Sequence, residues 1–279
     1  MRVRFATMEG QRDMRNALSV DFEDWYQPLA ARHVAGWERF PSRVPDDTRR
    51  LLDLLGRHSV RCTFFVLGEV AAEFPDAVRA IHRAGHEVAS HGHRHVPLFA
   101  QPRERFERET REAIDRLEQL TGERVLGFRA PFFSIRRDSW WAIDSLRQLG
   151  LVYDSSIHPT AGVLHGYPDG GRVPYTHPNG LREFPITTFT LGGAAVPFGG
   201  GVYYRLLPYP CIRLGLKRLN GRAIGGNVYF HPREIDPNLP RLSTGWKLRL
   251  IMYAGTRSFE TKLEHLLDDF AFGPIREWL

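Results

Sequence analysis

"ALSVDFEDW", residues 17–25, is the stretch on which the reading of this chain turns. Its first half is an apolar run as long as a short buried strand, and its second half sets Asp21, Glu23 and Asp24 within four positions. Carboxylates so close together repel one another unless a positive charge sits among them. Two readings are open: an acidic turn on the surface, or a strand end that holds a cation.

The same strand-like signal recurs along the chain. Further candidates are "CTFFVL" (62–67), "HEVASH" (86–91), "RVLGFRA" (124–130), "LVYDSS" (151–156), "LREFPI" (181–186) and "NVYFH" (227–231). Between them run helical patterns: "DDTRRLLDLLGRH", "FPDAVRAIHRAG", "RERFERETREAIDRLEQLTG" and "SWWAIDSLRQLG". In the third of these, Phe106, Thr110, Ala113, Ile114, Leu117 and Leu120 recur at helical spacing and Gly122 suits a C-cap. Gly56, Gly85 and Gly150 are expected to close the other helices in the same way. Repeated strand–helix units argue a parallel sheet, open or closed into a barrel. From Pro159 to Gly201 the rhythm fails in a Gly-, Pro- and Thr-rich stretch, read as a long loop with a hairpin. The tail, "FETKLEHLLDDFAFGPIREWL", reads as an amphipathic helix and a short apolar segment that packs back on the core. No internal repeat or linker stands out. The expected organisation is therefore an N-terminal lead (1–16) followed by one domain (17–279).

Bulk properties narrow the function. With 279 residues and 42% hydrophobic content the chain can bury one barrel-sized core. The net charge is +6, yet Arg alternates with Glu, as in "RERFERETREAIDRLEQL", and no clustered basic stripe is present, so nucleic-acid binding is disfavoured. Cys62 and Cys211 are far apart and form no C-x-x-C pair, which argues against a disulfide framework or a cysteine zinc site. The start lacks the apolar segment of a secretory signal, and no apolar run approaches the ~18 residues of a membrane span. A cytoplasmic protein with at most peripheral membrane contact is the expectation.

The chemistry gathers at strand ends. In "SHGHRHVPL", His91 and His95 are spaced i, i+4, which on a helical turn places two imidazoles on one side, two legs of a metal site. Three solvated loop histidines would be the bland alternative. Divalent metals accept two imidazoles and a carboxylate while leaving room for water and substrate. Asp21, Glu23 and Asp24 also follow a strand, and in a parallel barrel all strand C-termini share one face. One carboxylate can then bind the metal while another, kept ionised by it, serves as base. Arg129 in "GFRAPFF" can orient a carboxylate, and His231 in "VYFHP" can act as an acid. Taken singly, each of these two is more ordinarily structural.

These segments together resemble the polysaccharide deacetylases with a NodB-homology domain (carbohydrate esterase family 4-like), and more closely the subgroup associated with exosortase/PEP-CTERM exopolysaccharide loci. The resemblance runs from residue 17 onward through "ALSVDFEDWYQ", "GHEVASHGHRH", "GFRAPFFS", "YDSSIHP", "FGGGVYYRLLPY", "VYFHPREID" and "LLDDFAFGPIREWL". It implies an α/β fold, a distorted (β/α) barrel of about seven strands, with an inserted loop-rich segment and a C-terminal helix. It also implies a metal-dependent hydrolase that removes N-acetyl groups from amino-sugar polymers. By motif, Asp21 resembles the catalytic base, His91 and His95 the metal imidazoles, Arg129 the arginine that orients the base, and His231 the general acid. Asp154, Pro131 and Phe132 fall where the family lines its substrate groove, and Asp154 would support the acid histidine. One departure stands out. Many members have two adjacent aspartates, whereas here Asp21 is followed by Phe22, Glu23 and Asp24. An extended strand points Asp21 and Glu23 the same way, which favours Glu23 as metal ligand, with Asp24 as the alternative. The implied cofactor is one divalent ion, zinc first, then cobalt, nickel or manganese. The implied partner is an acetylated amino-sugar polysaccharide or its lipid-linked precursor. A small-molecule amidohydrolase of the same barrel, an O-acetyl esterase and a glycan-binding assembly protein are the competing readings.

Overall fold

The structure is a computed structural model that describes residues 16–30, 33–160, 166–191 and 194–279. The expected lead therefore lies outside the described residues except for Asn16, which begins the first strand. The strands in chain order are β1 (Asn16–Phe22), β2 (Thr63–Val66), β3 (Glu87–Ser90), β4 (Gly127–Phe128), β5 (Tyr153–Asp154), β6 (Tyr175–Thr176), β7 (Arg182–Glu183), β8 (Thr188–Leu191), β9 (Ala194–Pro197), β10 (Asn227–Phe230) and β11 (Phe272–Gly273). The helices are α1 (Gln27–Ala30), α2 (Val44–Arg57), α3 (Gly68–Glu73), α4 (Pro75–Arg83), α5 (Arg103–Thr121), α6 (Trp141–Gln148), α7 (Gly201–Leu206), α8 (Tyr209–Asn220), α9 (Trp246–Tyr253) and α10 (Phe259–Asp269).

One sheet runs β10-β1-β2-β3-β4-β5-β7-β6, with β11 also on β1. Every pairing in it is parallel except β6 with β7. Each of the strand segments read from the sequence contributes a parallel strand, and β8 with β9 forms a separate hairpin inside the loop-rich stretch. The sheet curls into a distorted (β/α) barrel. Its open side, between β7 and β10, is bridged by irregular chain: Thr187 N–H donates to Asn227 O at 3.1 Å and Tyr229 N–H to Gly199 O at 2.7 Å. This closure explains "FGGG". A Cβ on Gly200 would meet the Tyr229 carbonyl at 2.3 Å and its ring at 2.2 Å, so only glycine lets the backbone approach β10.

Strand parity divides the side chains. Leu18, Val20, Phe22, Phe64 and Val66 face outward into the main core, which the surrounding helices cover. Ala17, Phe65, Ala89, Tyr153 and Phe184 face inward and pack with Ile275 from the C-terminal segment. That segment plugs the bottom of the barrel: Ile275 N–H donates to Thr63 Oγ1 at 2.8 Å and Arg276 N–H to Glu87 Oε2 at 3.0 Å.

Two local expectations change. Gly122 caps α5 in the left-handed region, and Gly85 and Gly150 also have positive φ after their helices. Gly56, however, lies inside α2, which continues to Arg57, so it is no C-cap. His91 and His95 do not sit on a helical turn. They lie on an irregular loop after β3, pinned where Gly68 N–H donates to Gly92 O at 2.9 Å and Glu69 N–H to His93 O at 3.0 Å.

Candidate active site

The C-terminal ends of β1, β3, β4 and β10 deliver Asp21, His91, Arg129 and His231 to one end of the barrel, as parallel strands must. Asp21 and Ser19 share the inward face of β1, and both meet Arg129. Its guanidinium donates from Nη1 to Asp21 Oδ1 at 2.7 Å and to Ser19 Oγ at 2.9 Å, and from Nη2 to Ser155 Oγ at 2.8 Å. The Arg129 carbon lies 4.1 Å over the Phe65 ring. Arg129 is fully buried and Asp21 nearly so. A buried guanidinium of this kind is tolerated because it is paired and its N–H groups are satisfied. Asp21 Oδ2 is left facing the pocket, 3.9 Å from His231 Nε2.

Glu23, His91 and His95 bring one potential ligand atom each within 4.8 Å of one another, and all three are buried. Glu23 Oε2 lies 2.6 Å from His95 Nε2. The other oxygen of Glu23 accepts from Arg233. Burial by itself would raise the Glu23 carboxyl, but His95, Arg233 and His231 around it hold it well below the usual carboxylate range. His91 pairs its Nδ1 with the Arg129 carbonyl at 2.7 Å, which makes Nδ1 the donor and leaves the Nε2 lone pair bare. Burial pushes His91 down to about 4, so at neutral pH it is the uncharged imidazole that a metal requires. The Nδ1 of His95 is buried with no hydrogen-bond partner. An ionised carboxylate held by Arg233 and two imidazoles, one of them oriented by the Arg129 carbonyl, fit a divalent cation of borderline softness.

Asp24 is not part of this group. Its Oδ1 accepts from Trp25 N–H at 2.8 Å and Arg43 N–H at 3.1 Å, so it fastens the turn after β1 rather than facing the histidines. Asp154 also departs from its expected role. In β5 Tyr153 faces inward, so Asp154 faces the other way, where it opposes Glu183 in the register of β5 with β7. It is fully buried, accepts from Ser156 Oγ at 2.5 Å and does not line the pocket. Burial and then Glu183 push its carboxyl well above the ordinary value, and burial raises Glu183 to about 7. The carboxylate beside His231 is Glu234, one turn further along. Glu234 Oε2 accepts from His231 N–H at 3.0 Å and lies 3.6 Å from His231 Nδ1, while Oε1 pairs with Arg205 Nε at 2.9 Å. Burial opposes its ionisation, but Arg205 and His231 hold it at about 2.

The pocket offers about 80 Å³ and is walled by Phe132, Phe133, Tyr229 and Tyr203. Phe132 packs on His95 with ring centroids 4.3 Å apart. Both Phe132 and Phe133 lie in the left-handed region, with φ of 57° and 51°, a strained turn at the site. Pro131 instead borders a smaller cleft beside Gly92 and Phe106. Sequence reasoning missed Arg205, Arg233 and Glu234, and it missed the roof of Leu248, Ile251 and Met252 supplied by α9. Arg233 and Glu234 stand in the quoted "VYFHPREID", and an acidic residue three positions after His231 is a capping signal that could have marked Glu234.

Residues 31–153 match the family described as polysaccharide deacetylase. That segment belongs to the polysaccharide deacetylase family. Residues 155–279 match a family described as a domain of unknown function, DUF3473. The deacetylase match holds His91, His95 and Arg129, the second match holds His231, and Asp21 and Glu23 precede both. Among curated relatives, a peptidoglycan deacetylase-like protein of Gibberella zeae is 33% identical over 174 residues, covering 58% of this chain and 49% of its own. A peptidoglycan-N-acetylglucosamine deacetylase of Bacillus cereus is 26% identical over 145 residues, covering 48% and 52%. The chain thus spans about half the length of these curated relatives. A putative polysaccharide deacetylase from Mycobacterium smegmatis has the same fold, with a TM-score of 0.63 at 19% identity over 99% of this chain and 93% of that one. Among the described residues no helix is long and apolar enough to cross a membrane.

Proposed function

We propose that the chain is a metal-dependent hydrolase that removes N-acetyl groups from amino-sugar residues of an exopolysaccharide, or of its lipid-linked precursor, and releases acetate. The observation that carries this reading is the juxtaposition of an imidazole and carboxylate donor set with an arginine-clamped Asp21 and with His231 across the same pocket. The reading also takes residues 17–279 as one domain, since β10 and β11 from the second matched segment pair with β1.

Glu23, His91 and His95 would hold the ion, zinc first by its taste for imidazole and carboxylate. When bound, the ion supplies Lewis-acid polarisation of the acetamide carbonyl. Asp21 takes the proton of the attacking water on Oδ2, because Arg129 occupies Oδ1 and holds the carboxylate in place. His231 gives a proton from Nε2 to the departing amine, and Glu234 fixes its backbone and faces its other nitrogen. Phe132, Phe133 and Tyr203 shield the reacting group from water. A cytoplasmic setting belongs to the same reading, and the unpaired Cys62 and Cys211 suit a reducing compartment.

A second reading has one observation in its favour. The apolar roof of Leu248, Ile251 and Met252 and the space of about 80 Å³ suit a compact amide as well as an acetamide with its sugar at the mouth. Acetate release from N-acetylglucosamine oligomers, compared with O-acetylated sugars and small cyclic amides, separates them. Chelator-sensitive release from the oligomers is expected, and turnover of the cyclic amide alone would replace the polysaccharide reading.

A further inference from the structure

The roof of the pocket is also a surface. With 3.6 residues per turn, α9 turns Leu248, Ile251 and Met252 towards the pocket and Trp246 and Leu250 away from it. Trp246 is 73% and Leu250 42% exposed, an i, i+4 pair that forms one apolar ridge. Lys247 and Arg249, both exposed, flank this ridge on either side, and the Lys247 ammonium lies 5.6 Å over the Trp246 ring. Gly255, just beyond α9, is packed so closely on α7 that a Cβ there would meet the Arg205 carbonyl at 2.7 Å. Leu206, next to Arg205 in the chain, is 52% exposed.

The charge along the chain on either side of this ridge has one sign. From Pro237 to Phe259 the only charged residues are Arg241, Lys247, Arg249 and Arg257, all exposed. From Phe184 to Arg233, the stretch that holds α7 and α8, there is likewise no Asp or Glu. The two acids between these stretches are spent internally: Glu234 pairs with Arg205 and Asp236 with Arg43. No basic cluster is visible in the sequence because what distinguishes this region is the missing acids.

We infer that the α9 ridge docks the protein on an anionic lipid surface, with Trp246, Leu250 and Leu206 entering the headgroup region and Lys247 and Arg249 meeting lipid phosphates. Exposed Trp beside Leu, edged by Lys and Arg with no acid, is the composition that settles at a bilayer interface. A soluble polyanion would be matched by the cations alone and would leave the apolar ridge without a role. Docking here sets the pocket mouth next to the membrane.

Sedimentation of the full chain with vesicles tests this independently of any catalytic assignment. Phosphatidylcholine vesicles containing a minority of phosphatidylglycerol are expected to retain the protein, and pure phosphatidylcholine vesicles to retain far less. Salt of about 1 M, where the Debye length falls to about 3 Å, weakens retention. Lys247→Glu with Arg249→Glu lowers affinity about thirtyfold or more, and Trp246→Ala with Leu250→Ala about tenfold. These four side chains lie outside the pocket and are exposed, and a thermal melt matching the unmodified protein verifies each variant. A milder Trp246→Ser change replaces any variant that does not fold. Failure of the unmodified protein to bind anionic vesicles overturns the proposal. So does loss with the charge variant alone when Trp246→Ala/Leu250→Ala binds as before, particularly if heparin is held equally well, since that marks a general polyanion surface.

Discussion

Two groups of buried carboxyls lie on one sheet and behave in opposite ways. At the pocket each carboxylate has a guanidinium: Asp21 has Arg129, Glu23 has Arg233, and Glu234 has Arg205. Glu23 and Glu234 stay ionised although both are fully buried. Under the loop-rich segment, Asp154 and Glu183 oppose each other across β5 and β7, with hydrogen bonds to Ser156 Oγ and Ile157 N–H and with His177 Nε2 at 3.5 Å from Glu183. These partners are a hydroxyl, a backbone N–H and an imidazole, and both carboxyls are raised. Burial alone therefore does not mark a reactive carboxylate. On the proposed reading, Asp21 is suited to act as base because Arg129 fixes one of its oxygens while the other faces the pocket.

Removing charge from each group sharpens the contrast. Asp21→Asn is expected to lower kcat/KM for acetate release by about 10²–10⁴-fold, the usual span of a general base, whereas Asp154→Asn stays within about threefold. Comparable losses in both variants would erase the distinction. The next largest effect is on stability. Arg129→Met strips the counter-ion from Asp21 and leaves a buried charge, at a cost of about 3–5 kcal/mol in denaturant unfolding. Glu183→Gln keeps a neutral acceptor for Ile157 N–H and is expected to be near neutral at pH 5. The pH dependence is smaller and has a definite sign. The folded-state value of Glu183 is raised from 4.5 to about 7, so its contribution is complete below the unfolded value and is lost as pH rises through 7. Melting temperature should fall between pH 5 and 8, by an amount equivalent to at most about 3 kcal/mol, and Glu183→Gln should flatten that fall. An unchanged slope in the variant would place the titrating group elsewhere.

Much of this was legible in the sequence because it depends on local signals. Apolar runs bounded by glycines located the parallel strands, and strand-end positions gathered Asp21, His91, Arg129 and His231. Glu23 was favoured over Asp24 by strand parity, and it is Glu23 that stands beside the histidines. Asp154 was placed in the groove by the motif resemblance alone, and it does not line the pocket. In a strand of two residues no alternation exists to assign a face, and "YDSS" gave no sign that a second carboxyl would oppose it from β7. The Arg233–Glu23 and Arg205–Glu234 pairs were hidden for different reasons. The first joins residues 210 positions apart, and in the second Arg205 lies on α7, a six-residue helix too short to show a periodic pattern. The amphipathic pattern of α9 likewise does not say which core its apolar face will cover, and here it roofs the pocket. The i, i+4 spacing of His91 and His95 suggested a helix, yet Gly92 at a φ of 80° turns the chain so that a loop brings the rings together, with centroids 5.5 Å apart.

Counting divalent ions per chain is the most direct test of the claim that the arginine-matched group is the metal and proton-transfer centre. Equilibrium dialysis against zinc at pH 7, followed by elemental analysis, should give one tightly held ion per chain in the unmodified protein and in Asp154→Asn. Glu23→Gln and His91→Ala should each hold none. An ion retained by both of those variants, or lost in Asp154→Asn, would contradict the account.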